Sequence, residues 1–153
     1  TPLIFKFLTD DRVTSVTVMV QKEVAERITS NNLSGDYGAV SVMVNFYGKS
    51  KITRIVNRNM FYPSPKVDSA VLYIEKHNYD KELAPTMSLV VKSAFSSRRK
   101  MLTNNLSVGF NMSKIEVAEI LDNAGVSTTA RAEELSVDNF IEISKIIQKR
   151  RQI

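Results

Sequence analysis

The residues best suited to a chemical role lie near the middle of the chain, where two aromatic side chains precede two closely spaced prolines. Phe61 and Tyr62 come directly before Pro63, and Pro65 follows two residues later. Proline fixes its own φ, lacks a backbone donor and biases the preceding residue towards extended geometry. The segment is therefore predicted to be a stiff loop, which can hold a flat ring at a fixed angle. Phe61 is either a plug buried at a strand edge, as most aromatic side chains are, or an exposed stacking surface.

Tyr62 is expected to differ from its neighbour. In an extended segment successive side chains point to opposite sides, so the ring of Tyr62 turns away from that of Phe61. We expect it to pack against the protein rather than to take part in binding.

The charges around this loop are positive. Residues 49–66 contain five basic residues and no acid, namely Lys49, Lys51, Arg54, Arg58 and Lys66. The whole chain of 153 residues carries a formal net charge of +5 and has a pI near 9.5, which favours a polyanionic partner. A solvated surface is the alternative explanation of the local run.

A second basic cluster, Arg98, Arg99 and Lys100, lies in the C-terminal half. The pattern predicts a helix here, with an apolar stripe beneath the cations that includes Val91, Phe95 and Leu102. The cluster is either a patch that contacts phosphates or a solvated helix face.

Two kinds of secondary structure divide the chain. A helix that begins at Pro2 is followed by predicted strands at 13–20, 51–56 and 67–75, with helices at 21–28 and 38–47 between the first two strands. The strand at 13–20 is valine-rich and is expected to be buried. After a polar stretch at 77–81, which is typical of a linker, only helices are predicted. The sequence thus indicates an α/β domain over residues 1–78 and a small all-α domain over 79–153.

The helical half carries its own start and stop signals. Ser113 and Glu116 form a capping-box pattern, and Gly125 is placed to end that helix. Leu135 and Ser136 repeat the cap-and-staple arrangement together with Phe140.

Composition excludes several classes of protein. The chain contains no cysteine, so it has no disulfide framework and no cysteine metal site, which fits a reducing compartment. No apolar run approaches the roughly 18 residues of a membrane span, and we expect a soluble protein without a membrane partner. The apolar opening lacks a methionine and a cap, and suggests a chain cut from a longer one.

Phe61, Pro63, Pro65, Val67, Ser69 and Val71 match a Phe-x-Pro-x-Pro-x-Val-x-Ser-x-Val motif position by position. In this the chain resembles the ribosomal RNA adenine N6,N6-dimethyltransferases, which include the KsgA (RsmA) enzymes and the related Erm methylases. Further similar blocks follow the family's order, at residues 21–27, 36–42, 95–102 and 131–136. Ala39 and Val40 depart from the more usual Arg-Leu of the second block, and the last two blocks favour the KsgA branch.

The resemblance implies a fold, a role and partners. It implies the C-terminal half of a Rossmann-like class I methyltransferase sheet, followed by a helical RNA-binding domain. Phe61 would stack on the target adenine within a frame set by Pro63 and Pro65, since an enzyme that modifies a base takes it out of its stack. The partner would be ribosomal RNA of the small (16S) subunit, the methyl donor S-adenosyl-L-methionine, and the location the cytoplasm. Both basic clusters would bind RNA.

The donor site and the catalytic motif are missing from the printed sequence. Rossmann-like folds bind such cofactors with a glycine-rich turn, but Gly35, Gly38, Gly48, Gly109 and Gly125 each stand alone. The family's catalytic Asn-Leu-Pro-Tyr is expected just upstream of Thr1. We therefore expect this chain to hold no catalytic, cofactor-binding or metal-binding residue and to be inactive by itself.

Three alternatives remain open on sequence alone. The chain could be a non-catalytic RNA- or ribosome-binding module that uses the same basic surfaces. It could be a structural fragment whose strand at 13–20 has lost a neighbour and pairs with a second copy, because exposed strand edges invite such pairing. It could also be a fragment of an Erm-type methylase that acts on 23S rRNA.

Overall fold

A computed structural model of the chain describes residues 1–151. Its elements, in order along the chain, are α1 (Pro2–Leu8), β1 (Ser15–Gln21), α2 (Lys22–Thr29), α3 (Ala39–Tyr47), β2 (Gly48–Val56), β3 (Ser69–Lys76), α4 (Ala84–Ala94), α5 (Leu102–Phe110), α6 (Lys114–Asn123) and α7 (Val137–Arg151). Short 3₁₀ turns lie at Arg58–Met60 and Ala132–Glu134. The mixed α/β architecture followed by helices is the predicted one. No described helix has both the length and the apolar character needed to cross a membrane.

The chain divides into two compact units. The first contains Thr1–Ser30 and Val44–Tyr79, and the second contains Asn31–Met43 together with the chain from Asp80 onwards. Residues 31–43, which the sequence suggested belong with the α/β part, thus group with the C-terminal helices. The predicted domain boundary between residues 78 and 79 stays a prediction.

The sheet of the first unit has the order β1-β3-β2, and β3 is antiparallel to both neighbours. The outer strands β1 and β2 therefore run parallel to each other, and α2 and α3 lie between them in sequence. One face is apolar, because Val16 of β1 and Ala70, Leu72 and Ile74 of β3 are buried. Helix α2 contacts all three strands and buries Ala25. Strand alternation thus directs one set of side chains onto the helix.

The expectation that the first strand is buried is wrong for one of its two faces. Val16 is buried, but Val18 and Val20 are half-buried, and Thr17 and Met19 on the opposite face are exposed. Within the described residues β1 pairs on one edge only, with β3. Self-association through this strand stays a prediction.

The polar stretch predicted as a linker is anchored within the first unit. The amide of His77 donates to the carbonyl of Tyr47 at 3.2 Å, and its Nε2 lies 2.9 Å from the carbonyl oxygen of Phe46. The ring of Tyr79 meets that of Tyr47 edge-on, with centroids 4.8 Å apart. The sequence did not predict this anchoring, because an aromatic side chain in a polar stretch gives no periodic signal.

The second unit is built from helices α4 to α7 around an apolar core. Its largest fully buried side chains include Met87 of α4, Leu106 of α5, Ile120 of α6 and Phe140 of α7. These helices contact one another in the pairs α4–α5, α4–α7, α5–α6 and α6–α7.

The predicted helix signals of this unit are confirmed. Ser113 Oγ accepts a hydrogen bond from the amide of Glu116 at 3.1 Å, and Gly125 after α6 has a φ of 74°. Ser136 and Asn139 cap α7 reciprocally, because each side chain accepts from the other's amide. Local capping chemistry therefore fixes where these helices begin and end.

Candidate nucleic-acid interface

Residues 57–68, here called the aromatic loop, connect β2 to β3. The loop opens with the 3₁₀ turn Arg58–Met60, which Asn57 caps by accepting from the amide of Asn59 at 2.8 Å. Phe61 ends that turn in an extended conformation, with φ −113° and ψ 151°. The peptide bond between Tyr62 and Pro63 is cis.

The aromatic side chains of this loop face solvent. Phe61 keeps 37% of its residue surface exposed, whereas Met60 keeps 74% and Tyr62 102%. Phe61 is thus neither sealed in a core nor fully exposed. The expectation that Tyr62 packs is wrong, because its ring lies wholly in solvent.

Arg58 holds the loop closed. Its amide and its Nε both donate to Asp68 Oδ1, at 2.9 and 3.1 Å, and its Nη1 donates to the carbonyl of Lys66 at 2.6 Å. Its own carbonyl accepts from the hydroxyl of Ser64 at 3.0 Å and from the amide of Phe61 at 3.3 Å. Arg58 was predicted to bind RNA, but the structure uses its guanidinium to join the two ends of the loop.

The electrostatics of Asp68 reflect this contact. The backbone and side-chain hydrogen bonds from Arg58 hold the pKa of the Asp68 carboxyl below its ordinary value. The carbonyl of Asp68 also accepts from the amide of Lys22 at 2.9 Å, which ties the end of the loop to the start of α2. We call the contacts between Arg58, Asp68 and Lys66 the Arg58 brace.

Strand β2 carries its cations on one face of the sheet. Its register with β3 pairs Lys49 with Glu75, Lys51 with Tyr73 and Arg54 with Val71, and it shifts between Ile52 and Arg54. Without this bulge, simple alternation would send Arg54 to the face opposite Lys49 and Lys51. The bulge therefore brings the three cations to the same exposed face.

The partners of these cations differ. The ammonium of Lys51 lies over the ring of Tyr73, 5.6 Å from its centroid. Arg54 stands opposite an apolar residue in the register and is exposed, as is Lys66 in the aromatic loop. Arg54 and Lys66 thus combine positive charge with access to solvent.

The second basic cluster does not lie on a helix, so that prediction is wrong. Helix α4 ends at Ala94 and α5 begins at Leu102, which places Arg98, Arg99 and Lys100 on the turn between them. Serine hydroxyls compete with helical hydrogen bonding, and Ser96 Oγ donates to the carbonyl of Ser93 at 2.7 Å. All three cations are exposed, and we call residues 95–101 the basic turn.

A buried amide anchors the basic turn. Asn105 is only 4% exposed, and its Nδ2 donates to the carbonyls of Ala94 and Ser97, both at 2.9 Å. The last turn of α4 and the following residues are thereby tied to α5. The bond to Ala94 satisfies a carbonyl at the end of the helix, and the bond to Ser97 adds to the one that its carbonyl accepts from the amide of Lys100.

The second unit also holds a cavity of about 470 Å³ beside this turn. Its lining includes Arg98 and Arg131 but also Glu133 and Glu134, so cations and carboxylates are balanced there. Tyr37 closes one side, and burial raises the pKa of its hydroxyl to about 12. The mixture of charges does not make this cavity an anion site.

The residues present do not fit a Rossmann-type binding site for a methyl donor. Such a site needs a glycine-rich turn between a strand and the following helix, whose backbone cradles the ligand. Here β1 runs into α2 with Gln21 as the capping residue, and β2 runs into the aromatic loop. Among residues 1–151, no group of three or more histidine, cysteine or acidic side chains could hold a metal ion.

Sequence reasoning missed the supporting residues of this interface. Asp68 could have been found, since an acid that ends a basic, proline-containing loop ten residues after an arginine suggests an ion pair across it. Asn105 could have been found as a polar residue beside Leu106 in an apolar helix. The bulge in β2 leaves no comparable signal.

The comparisons with known proteins agree with one another. A family model described as "Ribosomal RNA adenine dimethylase" matches residues 1–149. The chain is 41% identical over 152 residues to the "Ribosomal RNA small subunit methyltransferase A" of Clostridioides difficile, with 96% of this chain and 52% of that protein covered. The protein of the same name from Natranaerobius thermophilus is 39% identical over 153 residues, with 97% and 51% covered. The chain thus spans about half the length of the curated relatives it matches.

Two solved structures share the fold. A dimethyladenosine transferase from Plasmodium falciparum superposes with a TM-score of 0.80 at 22% identity, covering 98% of this chain and 63% of that one. The 23S rRNA methyltransferase ErmE gives a TM-score of 0.66 at 21% identity, covering 95% and 59%. The likeness assigns the fold of Rossmann-like methyltransferases with a helical domain.

Proposed function

The chain belongs to the ribosomal RNA adenine dimethylase family, and on that premise we propose that it receives the target base and docks the RNA in a small-subunit (16S) rRNA adenine N6,N6-dimethyltransferase. The curated relatives are named for the small ribosomal subunit, which favours this branch over an Erm-type enzyme of the large subunit. The partner would be ribosomal RNA in the cytoplasm.

The half-exposed ring of Phe61 carries this proposal. It stands on a loop stiffened by Pro63, Pro65 and the Arg58 brace, and its partial exposure leaves part of its surface open to a base. A base pulled out of its stack loses its neighbours, and an aromatic side chain that replaces one of them returns about 1–3 kcal/mol.

Exposed cations would hold the surrounding phosphates. In the first unit we assign this role to Lys49, Lys51, Arg54 and Lys66, and in the second to Arg98, Arg99 and Lys100. We assign Arg58 to positioning instead, because its guanidinium is occupied within the loop. Phosphate contacts of this kind add affinity without reading sequence.

The family implies S-adenosyl-L-methionine as the methyl donor. In the complete enzyme it would supply the methyl groups, from a site outside the residues described above. We therefore expect the chain of 153 residues to bind RNA but to transfer no methyl group by itself. Stoichiometric binding of S-adenosyl-L-methionine to the chain in titration calorimetry would contradict this division of labour.

The direct test measures binding of an RNA hairpin with unpaired adenines to the chain and to Phe61→Ala. Loss of stacking should weaken binding by about 5- to 150-fold, which corresponds to about 1–3 kcal/mol. Phe61→Trp should restore it, and Met60→Ala, next to it and more exposed, serves as the matched control. Equal affinity of Phe61→Ala and the unchanged chain would contradict the proposed function.

A further inference from the structure

In the part of the chain that the structure describes, Tyr62 is fully exposed to solvent. It is the most exposed of the large apolar and aromatic side chains in the described residues, at 102% against 84% for Val108 and 82% for Ile115. A tyrosine ring buries a large apolar area when it packs, so leaving it in water forgoes that stabilisation. Met60 and Phe61 beside it are exposed as well, and adjoining exposed apolar side chains are typical of a surface that binds a partner.

The loop that presents Tyr62 is not a loose tip. Pro63 and Pro65 fix the backbone after it, and the hydroxyl of Ser64 donates to the carbonyl of Arg58 at 3.0 Å across the loop. The Arg58 brace closes the base of the same loop. The ring is consequently presented at low conformational cost, since little freedom is left to lose on binding.

The geometry separates Tyr62 from Phe61. Phe61 is extended, and consecutive side chains of an extended segment point to opposite sides. Their different exposures, 37% for Phe61 and 102% for Tyr62, agree with opposite environments. The two rings therefore cannot sandwich one base, and each can serve a different one.

We propose that Tyr62 is a second stacking surface, which binds an unpaired base adjacent to the target adenine in the RNA. This rests on the proposed function, because the target base occupies Phe61. The charge around the ring suits a nucleic acid, since residues 49–66 contain no acid and the carboxylate of Asp68 is engaged by Arg58. Stacking on an aromatic ring accepts any base, so Tyr62 contributes affinity and position more than sequence selection.

Such a surface has a consequence for the substrate. When the target adenine leaves its stack, its neighbour loses a stacking partner as well, and Tyr62 supplies a replacement. An unpaired base beside the target, whatever its identity, should therefore add to the affinity.

The chain offers a clean probe, because it contains no tryptophan. Tyr62→Trp gives a single indole at this position, and Met60→Trp gives one at a neighbouring exposed position as the matched control. RNA hairpins with two adjacent unpaired adenines should quench the indole of Tyr62→Trp strongly and that of Met60→Trp little. Replacing the adenine next to the target by an abasic nucleotide should abolish the quenching, while binding through Phe61 persists.

Affinity measurements separate this proposal from the proposed function. Tyr62→Ala should weaken binding of the two-adenine hairpin by about 5- to 150-fold, whereas Tyr62→Phe should bind it as tightly as the unchanged chain. Both variants should bind the hairpin with the abasic neighbour with equal affinity. If Phe61→Ala weakens binding while Tyr62→Ala does not, the second surface is refuted and the proposed function stands. If neither substitution matters, both fail. A blue-shifted indole in RNA-free Tyr62→Trp would also refute the proposal, because the ring would then be covered by polypeptide.

Discussion

The aromatic loop and the basic turn both present side chains to solvent, but they are held in different ways. The aromatic loop is closed across its base by the Arg58 brace and stiffened by two prolines. The basic turn is anchored at its beginning, by the buried amide of Asn105 on the carbonyls of Ala94 and Ser97. Fixed proline dihedrals and contacts across the loop thus hold the aromatic loop, whereas one buried amide holds the basic turn.

This difference matches what each region is proposed to do. Stacking requires a ring at a defined angle and distance, so the loop that carries it must be rigid. Attraction between a cation and a phosphate falls slowly with distance and depends weakly on orientation, so long flexible side chains suffice. The aromatic loop should therefore be sensitive to changes in its internal contacts, whereas the basic turn should be sensitive to its anchor and to its charges.

The largest effect is expected from removing the anchor of the basic turn. Asn105→Ala removes the side-chain donor of the Ala94 carbonyl and one of the two donors of the Ser97 carbonyl, which should lower the free energy of unfolding by about 1–3 kcal/mol. Urea denaturation measures this change in the free energy of unfolding. The matched control is Asn104→Ala, the adjacent and more exposed asparagine on the same helix. Equal midpoints for the two variants would show that Asn105 does not hold the turn.

The Arg58 brace should affect binding more than stability. Exposed ion pairs contribute little to folding, but a looser loop must be ordered when RNA binds, so Arg58→Ala should weaken RNA affinity by about 2- to 10-fold. Arg58→Lys keeps the charge and the backbone-amide bond to Asp68. Its single ammonium cannot reproduce the two guanidinium bonds, to Asp68 and to the Lys66 carbonyl, so it should behave like Arg58→Ala. If Arg58→Lys instead binds like the unchanged chain, Arg58 acts as a charge and not as a brace.

In the basic turn we expect the positive charge, and not the exact geometry of the side chain, to control RNA binding. Removing one cation, as in Arg99→Gln, should reduce the slope of log K against log salt by about 0.7–0.9 for each lost phosphate contact. Lys92→Gln, an exposed lysine in the last turn of α4, is the control for a change in net charge. An unchanged slope in Arg99→Gln would make this region a solvated surface.

The smallest effect concerns pH and belongs to the aromatic loop alone. Because Arg58 lowers the pKa of Asp68 below its ordinary 3.8, ionised Asp68 is favoured in the folded loop. The brace is then fully present above that value and is lost as the pH falls through the lowered pKa. Carbon-13 NMR of the Asp68 carboxyl should show a lower titration midpoint in the unchanged chain than in Arg58→Ala. Identical midpoints would contradict the brace.

Much of the fold was predictable because its signals are local. The helix caps at Ser113, Gly125 and Ser136 rest on residues within one turn, and the three strands were found from alternation. The basic turn was misassigned as helix because the apolar spacing of Val91, Phe95 and Leu102 continues across it.

The rest of the candidate site depends on contacts between residues that lie farther apart in the sequence or on different strands. Asn105 lies eleven residues after the carbonyl of Ala94 that it binds, and Asp68 lies ten residues after Arg58. The bulge that turns Arg54 to the face of Lys49 and Lys51 is set by the register with β3. The exposure of Tyr62 was missed because sequence alone gives an aromatic residue no reason to remain in water.

The central claim is that the ring of Phe61 replaces a stacking neighbour of an everted adenine. Proton NMR of the complex with an RNA hairpin tests it directly, because a ring stacked on the base shifts the adenine H2 and H8 resonances upfield. We predict such a shift with the unchanged chain and its loss with Phe61→Leu, which keeps an apolar side chain but removes the ring. The same adenine shifts in both complexes would contradict the claim.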